Sequence, residues 1–170
     1  MKKERKLYAK GYREKAPECM VKNMKTERSC GTVLFTVKGG RIHYLLLRTR
    51  DDNYCGFPKG HMEPGETEKE TALRETWEET SVRAELVGDF HVETSYKLKK
   101  GGMKTVTYFP AFYKRQTPRH NPGFEYHTLL LLPYEEAYEA LTHENTKQIL
   151  EQMDTYIRAH LAEQKNGGET

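Results

Sequence analysis

The sequence predicts an α/β/α sandwich around a mixed β-sheet, an α+β arrangement that three observations support. Strand-period and helix-period patterns both occur, but without the strict strand–helix–strand alternation of a parallel fold. Two glycine turns, Gly39-Gly40 and Lys99-Lys100-Gly101-Gly102, each join two strand patterns. Near the C-terminus Ile149, Leu150, Met153, Ile157 and Leu161 recur at helical spacing and offer one apolar stripe for docking on the sheet.

The elements follow in order. Residues 1–28 carry ten basic and four acidic side chains and read as a basic leader, frayed and solvated or in contact with a polyanion such as RNA. A strand over residues 30–37 places Gly31, Val33, Phe35 and Val37 on one face, and the pattern resumes over 42–47. Residues 48–66, rich in Asp, Asn, Gly and Pro, read as loop. Thr67 followed by Glu70 is a capping box and opens a helix to Thr80, with Ala72, Leu73, Trp77 and Thr80 as its buried stripe. Strands over 85–96 and 104–114 come next, then a proline-containing loop at 116–123 and an apolar strand at 128–132. Pro133 suits the first turn of a helix over 134–141. The last helix starts near Glu144, and residues 164–170 read as a loose tail, which leaves 29–163 as the folded domain.

Composition narrows the function classes. A chain of 170 residues suits one domain. No run approaches the roughly 18 apolar residues of a membrane span, and the start does not resemble a signal peptide. Aromatic residues make up 11% of the chain, which argues against disorder. Cys19, Cys30 and Cys55 are odd in number and widely spaced, as expected of reduced thiols in the cytoplasm. Beyond the leader the chain is mildly acidic, with eighteen basic against twenty-one acidic residues. Nothing in the sequence specifies an oligomeric state.

The chemistry concentrates in Gly56-Phe57-Pro58-Lys59-Gly60-His61-Met62-Glu63-Pro64-Gly65-Glu66 and the helix after it. Glu75, Glu78 and Glu79 stand at i, i+3 and i+4, so three carboxylates share one helix face. Like charges at that spacing repel, and hard oxygen donors favour Mg²⁺, Mn²⁺ or Ca²⁺ over zinc. Arg74 can bond a neighbouring carboxylate, or pair with Glu70 at i, i+4. The glycine-rich loop brings backbone close to phosphate, and Lys59 adds a positive charge. Together these residues imply metal-dependent phosphoryl or pyrophosphoryl chemistry, with a carboxylate activating water.

Gly60, five residues, Glu66, seven residues, then Arg74-Glu75-Thr76-Trp77-Glu78-Glu79-Thr80-Ser81-Val82 resembles the Nudix box over 23 positions. Two positions depart from it: Thr76 stands for an aliphatic residue and Ser81 for the closing glycine. The latter is expected to cost on the order of 1 kcal/mol. The resemblance implies a Nudix-type sandwich and a pyrophosphohydrolase. It also implies metal ligation by Glu75, Glu78, Glu79 and the Gly60 carbonyl, with Arg74 orienting the carboxylates and Glu66 supporting the loop. The family often adds a carboxylate from a later loop as ligand or general base, and Glu125 is the candidate. Mg²⁺ is the expected cofactor, with Mn²⁺ able to replace it.

Within the family, the loop and Tyr96 resemble the asymmetrical diadenosine tetraphosphate hydrolases, as does Lys104-Thr105-Val106-Thr107-Tyr108-Phe109. ADP-ribose hydrolases tend to carry a proline where this chain has none between Pro64 and Pro110. The implied partner is a small nucleotide cleaved to ATP and AMP. Tyr96 would stack on a base, and Lys59 and Lys104, with Lys97, Lys99 or Lys100, would neutralise phosphates. His143 occupies the place of a second stacking aromatic, with Tyr134 and Tyr138 as neighbours. Three alternatives stay open: a triphosphorylated RNA 5′ end, a diphosphoinositol phosphate, and a non-catalytic nucleotide-sensing module.

Overall fold

The fold is organised around β1 (Thr26–Lys38) and β7 (Met103–Phe112), which run parallel from Thr26 beside Met103 to Phe35 beside Phe112. In this computed structural model, which describes residues 26–51, 53–124 and 127–167, the remaining strand pairs are antiparallel. The result is the mixed sheet expected from the sequence. The strand begins at Thr26, three residues inside the stretch expected to be leader. The rest of that leader, and Cys19 with it, lies outside the described residues.

β1 is buried on both faces from Ser29 to Thr36, because it sits mid-sheet under helices on either side. Val33 and Phe35 face the larger core beneath α3 (Glu144–Gly167), where Ile149, Leu150, Met153 and Ile157 lie. Cys30, Thr32 and Leu34 face the other way, and Cys30 packs with Ala72 of α1 (Glu68–Thr80). The predicted face of Gly31, Val33 and Phe35 is thus real, but the opposite face is equally covered. Only Val37, beyond the core, is exposed.

After Tyr44, β2 (Arg41–Thr49) turns away from β1, and the sheet forks. Residues 55–61 fill the fork. β3 (Cys55–Gly56) pairs with Leu47 and Arg48 of β2, and β4 (Lys59–His61) pairs with Ser29 to Gly31 of β1. The segment expected to be plain loop therefore contains two short strands, β3 folding back on the adjacent β2 and β4 on the sequence-distant β1. β8 (His127–Pro133) closes the outer edge of β2 and leads straight into α2 (Tyr134–Ala140).

The stretch expected as one strand over 85–96 is two, β5 (Glu85–Leu86) and β6 (Val92–Lys97), both against β7. The break falls at a turn through Gly88 and Asp89, opposite Pro110, which has no N–H to continue a ladder. The C-terminal helix runs to Gly167, so residues 164–167 are helical rather than loose tail. Among the described residues no helix is long and apolar enough to cross a membrane.

α1 opens as predicted: Glu70 N–H donates to Thr67 Oγ1, and Thr67 N–H donates back to Glu70 Oε2. Its buried stripe differs from the expected one. Thr71, Ala72, Thr76, Glu79 and Thr80 are buried, Leu73 is half-buried, and Trp77 is 44% exposed. The helix can turn a threonine-rich face to the sheet because each buried hydroxyl has a partner, on the sheet, in the helix itself or in the preceding loop. Thr76 meets Thr32 at 2.7 Å and donates to Ala72 O, and Thr80 donates to Thr76 O.

Candidate active site

Ser81 ends α1 in the left-handed region, at φ 56° and ψ 18°, where a glycine is the cheaper residue. Its hydroxyl compensates by donating to Asn121 Oδ1 at 2.8 Å. Asn121 Nδ2 in turn donates to the Trp77 and Glu78 carbonyls at 2.7 and 3.0 Å. The loop after β7 thereby adds side-chain bonds to a helix end that the Ser81 N–H already caps on the Trp77 carbonyl.

Arg74 is the hub of the carboxylate cluster. It grips Glu66 with both Nε (2.6 Å to Oε1) and Nη2 (2.9 Å to Oε2), a planar fork on a carboxylate. Nη1 reaches Glu75 at 2.8 Å and Glu78 at 3.2 Å, and Nη2 also holds the His61 carbonyl at 2.9 Å. Glu66 accepts further from Thr71 Oγ1 and the Glu63 N–H. Arg74 first, then Thr71 and Glu63, hold the Glu66 carboxyl down at about 2. The i, i+4 alternative does not form, since Glu70 is spent on the capping box.

The three box carboxylates repel one another. Burial, with Glu78 adding, raises Glu75 above the usual range against the pull of Arg74. Burial first and then the Glu75 charge push Glu79 up to about 8, with Lys59 opposing. Glu79 is 7% exposed, and its Oε2 has no hydrogen-bond partner among the described residues. The expected convergence is nevertheless incomplete. No three acidic, histidine or cysteine side chains among the described residues close into a ready-made cage, because Arg74 draws Glu75 and Glu78 to itself. Glu125 lies outside the described residues.

The donor set still fits a hard divalent cation. All its side-chain donors are carboxylate oxygens, they are mutually repulsive, and one is buried and unpartnered. Gly60 completes the fit on the loop side, where a side chain would overlap the Glu75 carboxylate. Lys59 is beside them, its ammonium lowered by burial first and then by Lys104.

Lys59 also lines a cleft of about 510 Å³, together with Tyr54, Tyr96, Tyr108, His143 and Asn145. The structure thus brings Tyr96 and His143, 47 residues apart in sequence, into one cavity that shares Lys59 with the carboxylate helix. Tyr54 was missed; its ring lies 5.4 Å from that of His143. The available signal was an aromatic residue at the end of a polar run directly before the glycine loop. Thr142 sets the spacing by accepting from Cys55 N–H and donating its own N–H to Cys55 O. Asn145 Nδ2, another missed residue, donates to Thr94 Oγ1 and ties α3 to β6.

Other expected contacts fall elsewhere. Lys104 is outside the cleft lining and lies 3.4 Å from His61 Nε2, with His61 also meeting Glu27. Lys99 and Lys100 line a separate groove with Leu98 and Glu27. Tyr134 and Tyr138 pack against each other and the core instead of the cleft.

A glycine loop wedged into a forked sheet against an arginine-braced carboxylate helix defines a class, and the NUDIX domain model matches residues 25–153. The chain belongs to the Nudix family, and it is a hydrolase acting on phosphoanhydride bonds. It is similar to the rat asymmetrical bis(5′-nucleosyl)-tetraphosphatase, 33% identical over 140 residues that cover 76% of this chain and 95% of the relative. The mouse counterpart is 32% identical over the same coverage. Among solved structures, a Caenorhabditis elegans Ap4A hydrolase binary complex superposes with a TM-score of 0.71 at 25% identity. That match covers 78% of this chain and 98% of the other. The NUDIX domain of Shewanella oneidensis NrtR, complexed with ADP ribose, shares the fold at a TM-score of 0.62 and 16% identity.

Proposed function

We propose that this Nudix hydrolase cleaves a dinucleoside polyphosphate such as diadenosine tetraphosphate asymmetrically, to ATP and AMP, in the cytoplasm and with Mg²⁺ as cofactor. The observation that carries the reading is the aromatic cleft joined to the carboxylate helix through Lys59. Flat bases need a stacking surface and a polyphosphate needs positive charge beside it, and the two are adjacent here. A diphosphoinositol phosphate has no base to use Tyr54 and Tyr96, and the hairpin lysines it would need lie outside the cleft lining. The similarity to the rat and mouse enzymes supports the same substrate.

Glu75, Glu78, Glu79 and the Gly60 carbonyl would hold Mg²⁺, or Mn²⁺ in its place, with Glu125 as a further carboxylate. When bound, such an ion supplies charge neutralisation of the phosphates and a lower pKa for water. The protein's own residues do the rest. Arg74 holds Glu75 and Glu78 while Glu66 holds Arg74, which limits how far the carboxylates move when they turn to the ion. Lys59 presents its ammonium to the phosphate chain. Glu79 Oε2, buried and unpartnered, accepts the proton of the attacking water. Tyr96 stacks on one base, and Tyr54 with His143 bounds the opposite side.

Turnover of diadenosine tetraphosphate with Mg²⁺, with the nucleotide products resolved, tests this. ATP and AMP in equal amounts, lost in Glu79→Gln, are expected. Two ADP, or an intact dinucleotide, would overturn the substrate assignment.

A further inference from the structure

We infer that Thr32 is a positioning residue for this site: through its backbone it holds the loop bearing Lys59 and Gly60, and through its hydroxyl it holds the helix bearing Glu75, Glu78 and Glu79. This inference rests on the functional reading above, and goes beyond it by assigning a role to a residue outside both the glycine loop and the box helix.

Thr32 and Thr76 are both fully buried. The Thr32 N–H donates to the Pro58 carbonyl at 3.1 Å, one residue beyond the β1–β4 ladder that ends with Gly31 beside Lys59. The approach is close: a side chain on Gly31 would overlap the same Pro58 carbonyl and Lys59. On the other side, Thr32 Oγ1 and Thr76 Oγ1 are 2.7 Å apart. A hydroxyl has one hydrogen, and Thr76 spends its own on Ala72 O at 2.7 Å. Thr32 is therefore the donor. Thr76 directly follows Glu75 and stands three residues before Glu79, in the middle of the carboxylate series.

One strand residue thus grips the loop and the helix that face each other across the candidate metal position. The choice of a hydrogen bond matters. Two aliphatic side chains would bury similar area, but apolar contact is non-directional and tolerates sliding. A hydrogen bond restricts both distance and angle. That restriction bears on this site, since Gly60 has no room to spare against the Glu75 carboxylate. Ångström displacements far from the chemistry are known to cost on the order of 100-fold in rate.

The competing explanation is that the pair only stabilises the fold, and a set of isosteric variants separates the two. The variants are Thr32→Val, Thr76→Val, the double variant, and Thr76→Ser. Readouts are thermal stability without metal, Mn²⁺ and Mg²⁺ binding by calorimetry without substrate, and kcat and KM for diadenosine tetraphosphate. Thr76→Val should lose the most stability, because it leaves the Thr32 hydroxyl buried with no acceptor. Thr32→Val should lose less, since Thr76 keeps Ala72 O. The double variant should regain most of the loss, because removing both partners of a buried bond is nearly neutral.

Metal affinity and kcat should not recover in the double variant. Both are expected to stay about tenfold below wild type with KM little changed, the scale seen when groups supporting metal ligands are removed. Thr76→Ser, which keeps the hydroxyl, should match wild type. A double variant with wild-type metal affinity and kcat overturns the inference. If the double variant is too unstable to assay, Thr32→Val decides, and wild-type affinity and kcat there overturn it equally. Wild-type protein that binds metal but leaves the dinucleotide intact sinks only the substrate reading, and the calorimetry still decides. Protein that binds no metal sinks both.

Discussion

The carboxylate half and the aromatic half of the site are built by opposite means. Around Arg74, five hydrogen bonds to Glu66, Glu75, Glu78 and His61 come from residues 61–78, two within the helix and three reaching back to the loop just before it. The cleft takes Tyr54 from the fork loop, Tyr96 from β6, Tyr108 from β7 and His143 from the α2–α3 junction. Its walls are tied to one another across the fold by contacts such as Asn145 to Thr94 and Cys55 to Thr142. The lesson is a division of labour. Local sequence holds the charged groups through directional hydrogen bonds, whereas the aromatic walls depend on the whole sheet being assembled.

The largest effect should come from charge in the first half. With a folded-state value near 8 against an ordinary 4.5, the Glu79 carboxyl holds its proton more tightly in the folded chain than in the unfolded one. Its contribution is complete below about pH 4.5 and is lost as pH rises toward 8. Metal-free protein should therefore lose stability from pH 5 to 8, on the order of a few kcal/mol. Glu66 titrates below this window, and His127, whose burial lowers its pKa, works in the opposite direction. Glu75, also raised by burial, adds a loss of the same sign. The comparison with Glu79→Gln therefore isolates the Glu79 carboxyl: denaturation profiles of that variant should lack most of this loss, as should wild type saturated with Mg²⁺. Equal slopes for wild type and variant would break the account of Glu79 as a strained, cation-seeking group.

Next in size is the brace. Arg74→Lys keeps the charge but loses the fork, so one ammonium cannot serve Glu66, Glu75, Glu78 and His61 together. Activity should fall roughly 100-fold, mainly in kcat, with a weaker effect on KM. A fall confined to KM would mean that Arg74 acts on substrate instead of on the carboxylates.

Tyr96→Ala addresses the second half. Loss of one stacking surface is worth about 1–3 kcal/mol, so KM should rise roughly tenfold or more while kcat changes little. His143→Tyr should lower KM by a few-fold, since a wider ring would stand beside Tyr54 on that wall. If both substitutions act on kcat alone, the two halves are not separable as argued.

The same contrast explains what the sequence made legible. The capping box, the carboxylate spacing and Arg74 were readable because each acts within a few residues of itself, whereas the role of Glu66 came only through the family resemblance. Tyr96 and His143 were readable only through the family resemblance, and Tyr54 was not read at all, because no local pattern says which strand lies beside which. The short strands β3 and β4 escaped for that reason: two or three residues acquire extended pairing only because the sheet forks around them. Trp77 and Leu73 were placed in the core by hydrophobicity, but the buried face is the threonine one, whose hydroxyls are satisfied by Thr32 of β1, the helix backbone and Glu66.

The smallest effect expected is at Ser81, and it sharpens the comparison by asking whether a local rule or a long-range contact governs the helix end. A left-handed serine costs on the order of 1 kcal/mol relative to glycine, while its bond to Asn121 returns about as much. Ser81→Gly should therefore change stability by only a few tenths of a kcal/mol. Ser81→Ala keeps the strain and loses the bond, so it should cost about 1 kcal/mol, visible as a lower denaturation midpoint. In Asn121→Ala, which removes the partner, Ser81→Ala should cost almost nothing more, because the two act as one contact. Full additivity of the two would show that the Ser81–Asn121 contact contributes nothing and that the helix end is set by its own backbone, as the fixed glycine of the Nudix box implies.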